Sequence, residues 1–127
     1  MTEKEVNAMS ALALAHVGDG VFELLVRTYL CTEGLCVNHN LHRETVSRVC
    51  APAQAAFADR ILPLLEDREL AVYKRGRNAH VNAIPKNATA SQYGKATGLE
   101  ALFGWLHLLG RQQRVAELFA AGQKEEE

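Results

Sequence analysis

The chain has 127 residues, of which 48% are hydrophobic and 6% aromatic, and its formal net charge is −1. This length suits one domain with a substantial core, and the near-zero charge argues against indiscriminate nucleic-acid binding. No apolar run is long enough to span a bilayer, and no signal-type apolar core follows the charged N-terminus, so we expect a cytoplasmic protein with no membrane contact.

Abundant Ala and Leu with scarce Pro favour an all-α fold, and the first long helix is predicted over about residues 9–32, with Gly34 as its C-terminal cap. Helical spacing places Asp19 on or beside the apolar stripe of this helix. The stripe comprises Leu12, Ala15, Phe22 and Val26. We therefore expect the Asp19 carboxylate to face packed side chains, where it needs a hydrogen-bonded cap, a cationic neighbour or a metal ion.

Two shorter helices are predicted next. The first covers about residues 41–50, and the side chains of residues 38–40 are expected to cap its start. The second covers about residues 52–65. Pro52 suits the first turn of the latter helix, and Pro63 ends or kinks it. Residues 66–69 combine three acids with one Arg. We predict that they are solvated and form no site.

The three cysteines are odd in number and lack the spacing of a disulfide framework. We expect Cys31, Cys36 and Cys50 to be reduced, small and buried. The alternative is a zinc site in which Cys31 and Cys36 combine with His39 and His42. Structural zinc sites usually separate their ligand pairs by a longer loop, which favours the first interpretation.

A basic stretch without any acid extends from residue 70 to residue 99. Its cations are Lys74, Arg75, Arg77, Lys86 and Lys95. Asn78 and His80 add hydrogen-bond donors suited to phosphate or 2′-hydroxyl groups. Such a stretch can hold a polyanion by contacts to its phosphates. The alternative is a solvated helix end and loop.

The next apolar helix, about residues 96–109, also carries one acid, Glu100. Antiparallel or crossed packing of the two helices could bring Asp19 and Glu100 together, because small residues permit a close approach. These residues are Gly18, Gly20, Gly98 and Gly104. Two inward carboxylates repel unless a cation joins them, and hard oxygen ligands without His or Cys favour Mg²⁺ or Mn²⁺. Together with the basic stretch, such a site suits phosphodiester chemistry.

These motifs resemble the ribonuclease III catalytic domain. Gly18-Asp19 before an apolar helix resembles its first half, and residues 97–104 resemble its second half. Residues 74–79 and 84–88, with Tyr93, are similar to the Mini-ribonuclease III branch, the short form without a double-stranded-RNA-binding domain. The resemblance spans about residues 8–120, close to a whole domain.

The resemblance implies a single ribonuclease III-like catalytic domain over residues 1–127, with an ordered helical core over about residues 8–120 and an acidic tail over 121–127. It implies a Mg²⁺-dependent endoribonuclease that hydrolyses double-stranded RNA to 5′-phosphate and 3′-hydroxyl ends. Asp19 and Glu100 are then the catalytic metal ligands. RNA contacts are expected from Lys74, Arg75, Arg77, Asn78, His80, Lys86 and Lys95. The implied active form is a homodimer, and the implied substrate is precursor 23S ribosomal RNA.

The chain departs from full-length ribonuclease III at three positions. Ala15 and Leu12 stand where the longer pattern has acids before the aspartate, and Thr97 stands where it has one before the glutamate. This departure leaves the number of metal ions open. Thr97 and Glu23 are candidates to support the metal ligands, although Glu23 is also placed to form an exposed ion pair with Arg27.

Two competing hypotheses remain: a non-catalytic helical dimer that binds double-stranded RNA, and a purely structural helical dimer. Five large apolar residues are candidates for the core or for a dimer interface. They are Val21, Phe22, Leu25, Phe103 and Trp105.

Overall fold

The computed structural model describes residues 1–33, 38–79 and 86–123. Its helices are α1 (Glu3–Asn7), α2 (Ala11–Thr32), α3 (Leu41–Val49), α4 (Ala51–Ile61), α5 (Asp67–Arg77), α6 (Ala90–Leu108) and α7 (Gln112–Gly122). Short 3₁₀ turns cover Asn38–Asn40 and Leu62–Leu64. The described residues contain no strand, so the predicted all-α fold is confirmed.

Helix α6 forms the centre of the molecule, and α2, α4 and α5 pack around it. Between residues 96 and 106 every side chain of α6 except Glu100 is buried. A cluster of four phenylalanine rings fills the space between α2, α4, α6 and α7, with centroid separations from 5.0 to 6.3 Å. Its members are Phe22, Phe57, Phe103 and Phe119. This cluster and the glycine contacts described below fix the positions of the helices that carry the site.

Local sequence explains most of the helix starts. The Ser10 hydroxyl caps α2 by accepting from the Ala13 amide at 3.0 Å, and Thr89 and Gln92 form a reciprocal capping box at the start of α6. Pro52 lies in the first turn of α4, as predicted. The predicted capping of α3 is wrong, because Asn40 makes no side-chain cap hydrogen bond and residues 38–40 form a 3₁₀ turn instead. Gly34, the predicted cap of α2, lies outside the described residues.

The N-terminal segment packs against α6, although its charged sequence gave no sign of this. Val6 is fully buried, and Asn7 accepts a 2.7 Å hydrogen bond from the indole nitrogen of Trp105. Arg75 donates to the carbonyl oxygen of Met9 at 2.9 Å, which ties the segment to α5 as well. The core therefore extends to the first helix of the chain.

The prediction that residues 66–69 are solvated holds for Glu66, Asp67 and Arg68, which are exposed, but it is wrong for Glu69 in the first turn of α5. Glu69 is 2% exposed, and Arg114 of α7 donates to both of its carboxylate oxygens at 2.8 Å. Burial alone would raise the pKa of Glu69, but hydrogen bonds from Arg114 and from the Glu66 backbone outweigh it and lower the pKa. The prediction failed because the partner of Glu69 lies 45 residues away.

The cysteines also differ from expectation. Cys31 and Cys50 are free thiols, as expected, but both are exposed. Cys36, which the alternative zinc site requires, lies outside the described residues. Within the part of the chain that the structure describes, no helix is long and apolar enough to cross a membrane.

Candidate active site

Two glycines bring α2 and α6 into backbone contact. A Cβ atom on Gly18 would overlap the carbonyl oxygen of Glu100, and a Cβ atom on Gly104 would overlap the carbonyl oxygen of Leu14. Only glycine therefore fits at either position. Since Leu14 meets Gly104 and Gly18 meets Glu100, the helices run antiparallel, which brings Asp19 beside Glu100 as predicted.

The other two glycines have different roles. A Cβ atom on Gly98 would lie 2.7 Å from the carbonyl oxygen of Tyr73, so Gly98 admits α5 rather than α2. In the reciprocal direction, a Cβ atom on Gly76 of α5 would lie 2.8 Å from the Gly98 Cα atom. Nothing lies within 4 Å of a Cβ atom on Gly20. The prediction that Gly20 permits close helix packing is therefore wrong, because Gly20 faces none of the described helices.

The exposure of the two acids differs from expectation. Asp19 is exposed and Glu100 is half-buried. Gly18, rather than Asp19, occupies the helical position that faces α6, and one residue further along α2 corresponds to a rotation of about 100°. Leu12, predicted to share the buried stripe, is 46% exposed. Asp19 therefore lies at the rim of the helix contact, where its carboxylate is accessible to a ligand from solvent.

The two carboxyl groups interact strongly. Burial, the charge of Asp19 and a hydrogen bond with Asp19 together raise the pKa of Glu100 to about 8. The Gln54 amide opposes this shift, because it hydrogen-bonds to Glu100 and favours its charged form. At neutral pH the pair therefore retains a proton, since two adjacent charged carboxylates repel each other.

A divalent cation fits this arrangement. Two converging carboxylates supply the hard oxygen donors that Mg²⁺ and Mn²⁺ prefer, and a cation would replace the shared proton. The described residues include no group of three or more His, Cys, Asp or Glu side chains arranged for a metal ion. The acid pair would therefore supply two ligands and leave positions for water and phosphate oxygens.

Gln54 is a site residue that was not predicted from the sequence. It is only 3% exposed, and its Nε2 atom donates to the carbonyl oxygen of Val49 at 3.0 Å. The sequence does contain a signal, because Gln54 interrupts an otherwise apolar stripe with Ala58 and Ile61 at helical spacing. A buried polar residue in such a stripe indicates a specific partner.

The two residues proposed to support the metal ligands have local partners. Glu23 forms an ion pair with Arg27 at 3.2 Å, which agrees with the alternative interpretation of that residue. Thr97 is 6% exposed, and its hydroxyl donates to the Tyr93 carbonyl oxygen of its own helix at 3.0 Å. Both remain candidates on the grounds of sequence position alone.

The predicted RNA-binding residues differ in their surroundings. Lys74, Arg77, Asn78 and Lys86 are exposed, with the Arg77 guanidinium 6.0 Å from the centre of the Tyr73 ring. Arg75 is also exposed but bonded to the Met9 carbonyl oxygen. Lys95 pairs with Asp59 of α4 at 2.9 Å, a contact that the acid-free basic stretch did not reveal. His80 lies outside the described residues.

Comparisons with known proteins agree with this geometry. A model of the Ribonuclease III domain family matches residues 12–111. A protein of Clostridium tetani named Mini-ribonuclease 3 is 40% identical over 119 residues, which cover 92% of this chain and 78% of that protein. The protein of the same name from Symbiobacterium thermophilum is 40% identical over 110 residues, which cover 87% of this chain and 85% of that protein.

A solved structure is similar as well. The crystal structure of a protein from Fusobacterium nucleatum has a TM-score of 0.80 and 27% sequence identity, and the match covers 90% of this chain and 91% of that one. The match to the family model includes all of α2 but its first residue, all of α6, and the whole chain between these two helices, which carry the acid pair. The chain therefore belongs to the ribonuclease III family and is similar over most of its length to the Mini-ribonuclease 3 proteins.

Proposed function

We propose that this endoribonuclease hydrolyses double-stranded RNA with a divalent cation, Mg²⁺ or Mn²⁺, held by Asp19 and Glu100. The observation that carries the proposal is the contact of the two carboxyl groups across the α2 and α6 interface, where Glu100 retains its proton at neutral pH. A cation that binds there gains two charged ligands once that proton leaves. The same pair lies within the residues matched by the ribonuclease III family model.

The two acids have different parts in the proposed reaction. Asp19 is at the exposed rim and meets both the cation and the solvent, whereas Glu100 is half-buried and meets the cation from the side of the helix contact. When bound, the cation supplies an activated water nucleophile and stabilises the charge on the leaving 3′ oxygen. Cleavage of this kind leaves a 5′-phosphate and a 3′-hydroxyl end.

The basic face of α5 supports RNA binding. Lys74 and Arg77 are exposed at the C-terminal end of this helix, and Lys86 is exposed in the segment before α6. These cations suit contacts to phosphates, which position a duplex without reading its sequence. Arg75, Asn78, Lys95 and His80 are included as proposed contacts because they belong to the same acid-free basic stretch of the sequence.

A homodimer is supported by the outer surface of α2. Val17, Val21 and Leu24 recur at helical spacing there, and Leu24 is 65% exposed. Single exposed apolar residues are ordinary, but a row beside the acid pair suits a second copy of the chain. Two-fold symmetry would then align one acid pair with each strand of the duplex. We propose precursor 23S ribosomal RNA as the substrate from the resemblance to Mini-ribonuclease III. We also propose the cytoplasm as the location, as expected from the apolar pattern of the sequence.

The decisive experiment incubates the purified protein with a structured RNA in Mg²⁺, Ca²⁺ or EDTA. We expect cleavage in Mg²⁺ and none in EDTA, and we expect Asp19→Asn and Glu100→Gln each to abolish cleavage without unfolding the protein. If the protein bound the RNA but cleaved it in none of these three conditions, the non-catalytic alternative would be favoured. A variant of either acid that retained wild-type rates would remove that residue from the site.

A further inference from the structure

The buried amide of Gln54 requires an explanation that packing does not give. Its neighbours on the buried face of α4 are apolar, namely Ala55, Phe57, Ala58 and Ile61. Burying an amide is unfavourable unless its polar groups find partners. The Oε1 atom of Gln54 is buried without a hydrogen-bond partner among the described groups. Whatever this side chain contributes is therefore made through its nitrogen.

The orientation of the amide is fixed by Val49. This residue is the last of α3, so its carbonyl oxygen has no acceptor role within the helix and is free to receive the Gln54 Nε2 hydrogen at 3.0 Å. A carbonyl oxygen can only accept, so the amide cannot be turned to place its own oxygen there. The nitrogen carries a second hydrogen that the contact to Val49 does not use, and the lowering effect of Gln54 on the pKa of Glu100 agrees with a direction toward that carboxyl.

We propose that Gln54 is a positioning residue for the cation site. Anchored by the end of α3, its amide nitrogen holds the Glu100 carboxylate toward Asp19 in the orientation in which both acids bind one divalent cation. Contacts between α4 and α6 support this arrangement. Asp59 pairs with Lys95 at 2.9 Å and Phe57 packs against Phe103, so the two helices run antiparallel. Gln54 precedes Asp59 by about one and a half turns and Glu100 follows Lys95 by the same number of residues, which places Gln54 near the level of Glu100. This inference rests on the proposed function of Asp19 and Glu100.

The test compares Gln54→Met with Thr45→Val. Met has a length and volume similar to Gln but no amide. Thr45 is a matched control, since it is 6% exposed on neighbouring α3 and its hydroxyl bonds only the Leu41 carbonyl oxygen of its own helix at 2.8 Å. Calorimetric titration with Mn²⁺ alone measures metal affinity without RNA. Thermal unfolding and RNA binding in EDTA measure the fold and the substrate contacts.

We expect Gln54→Met to weaken Mn²⁺ binding by about tenfold or more and to raise the Mg²⁺ concentration for half-maximal cleavage by a similar factor. RNA affinity in EDTA should not change, and Thr45→Val should bind Mn²⁺ like the wild type. A purely structural role would instead lower the melting temperature and leave the metal affinity of the folded protein unaltered.

Each outcome discriminates. If the wild-type protein neither binds Mn²⁺ nor cleaves RNA, the proposed function fails. If the wild type binds Mn²⁺ and Gln54→Met binds it equally well, the positioning role of Gln54 is overturned while the proposed function stands. Should Gln54→Met not fold, Gln54→Asn serves instead, because its shorter amide cannot reach both Val49 and Glu100. Wild-type Mn²⁺ affinity in that variant would equally overturn the inference.

Discussion

At the scale of single residues, Glu100 couples the proposed site to the stability of the fold. Its backbone lies against Gly18, the neighbour of Asp19, so the two helix segments that carry the acids cannot separate without unpacking the centre of the molecule. An ionised pair in that position opposes folding, and a bound cation would relieve the repulsion.

This coupling predicts a pH dependence for the metal-free protein. Glu100 has a pKa of about 8 in the folded chain against an ordinary value of 4.5, so the folded state holds more protons between these pH values. Stability should therefore fall as pH rises from about 4.5 to about 8. Glu100→Gln cannot ionise and should remove this part of the decline, which raises the melting temperature near pH 8.

Melting curves across this pH range in the absence of metal check the prediction. Glu44→Gln is a suitable control, since Glu44 lies on α3 in a partly exposed ion pair with Arg48. That variant should follow the wild-type pH profile. Parallel profiles for the wild type and Glu100→Gln would contradict a protonated acid pair.

The basic residues of α5 allow phosphate contacts to be separated from structural ones. Lys74 and Arg77 are exposed, whereas Arg75 fixes the Met9 carbonyl oxygen. We expect Lys74→Ala with Arg77→Ala to weaken RNA binding and to reduce the slope of log affinity against log salt by about one per lost contact. Turnover at saturating RNA should change less.

Arg75→Ala provides the structural comparison for that double variant. It should lower the melting temperature by loosening the N-terminal segment, in addition to any effect on RNA. Cleavage measured against RNA concentration at two salt levels distinguishes the cases. An unchanged dissociation constant and salt slope in the Lys74 and Arg77 double variant would show that these cations do not touch phosphates.

At the scale of helices, the glycines that face backbone are the sensitive positions. Gly18→Ala or Gly104→Ala places a methyl group on a carbonyl oxygen of the opposite helix, so either change should force α2 and α6 apart. We expect a loss of several kcal/mol of unfolding free energy and a loss of activity. Gly20→Ala is the matched control on the same helix, because nothing lies within 4 Å of the added Cβ atom. It should stabilise α2 by up to about 1 kcal/mol through helix propensity.

Denaturant unfolding of the three glycine variants tests this difference. Equal stability changes at Gly18 and Gly20 would mean that the helix contact is not close.

The same contact shows what sequence could and could not establish. Gly18 and Gly104 were predicted from small residues near the acids. Gln54 and the Glu69 and Arg114 pair were not, because their partners lie on other helices and helical periodicity describes only one helix at a time.

At the scale of the whole molecule, the structure assigns most of the large apolar residues. Phe22, Phe103 and Trp105 are at most 1% exposed and form the core, whereas Val21 and Leu25 are only partly buried. Sequence periodicity could not make this division, because a core and a helix–helix interface use the same residue types. The row of Val17, Val21 and Leu24 on α2 is the surface that we propose for contact with a second copy of the chain.

Leu24→Glu tests that assembly. The side chain is 65% exposed, so the fold of one subunit should tolerate the charge, but a dimer built on α2 should dissociate. Leu64→Glu is the control, since Leu64 is 51% exposed in a 3₁₀ turn on another part of the surface. Sedimentation velocity should give a monomer for the first variant and a dimer for the second and the wild type. If all three proteins were dimers, the dimer interface would have to lie elsewhere on the surface.

The hydrogen bond between Trp105 and Asn7 gives the protein an optical probe of its own. The chain contains one tryptophan, so all indole fluorescence comes from a ring that is 1% exposed and lies 5.0 Å from the Arg111 guanidinium carbon. Detachment of α1 would hydrate this ring and shift its emission to longer wavelength before the helices around it separate. Stopped-flow fluorescence can therefore time the docking of the N-terminal helix without any added dye.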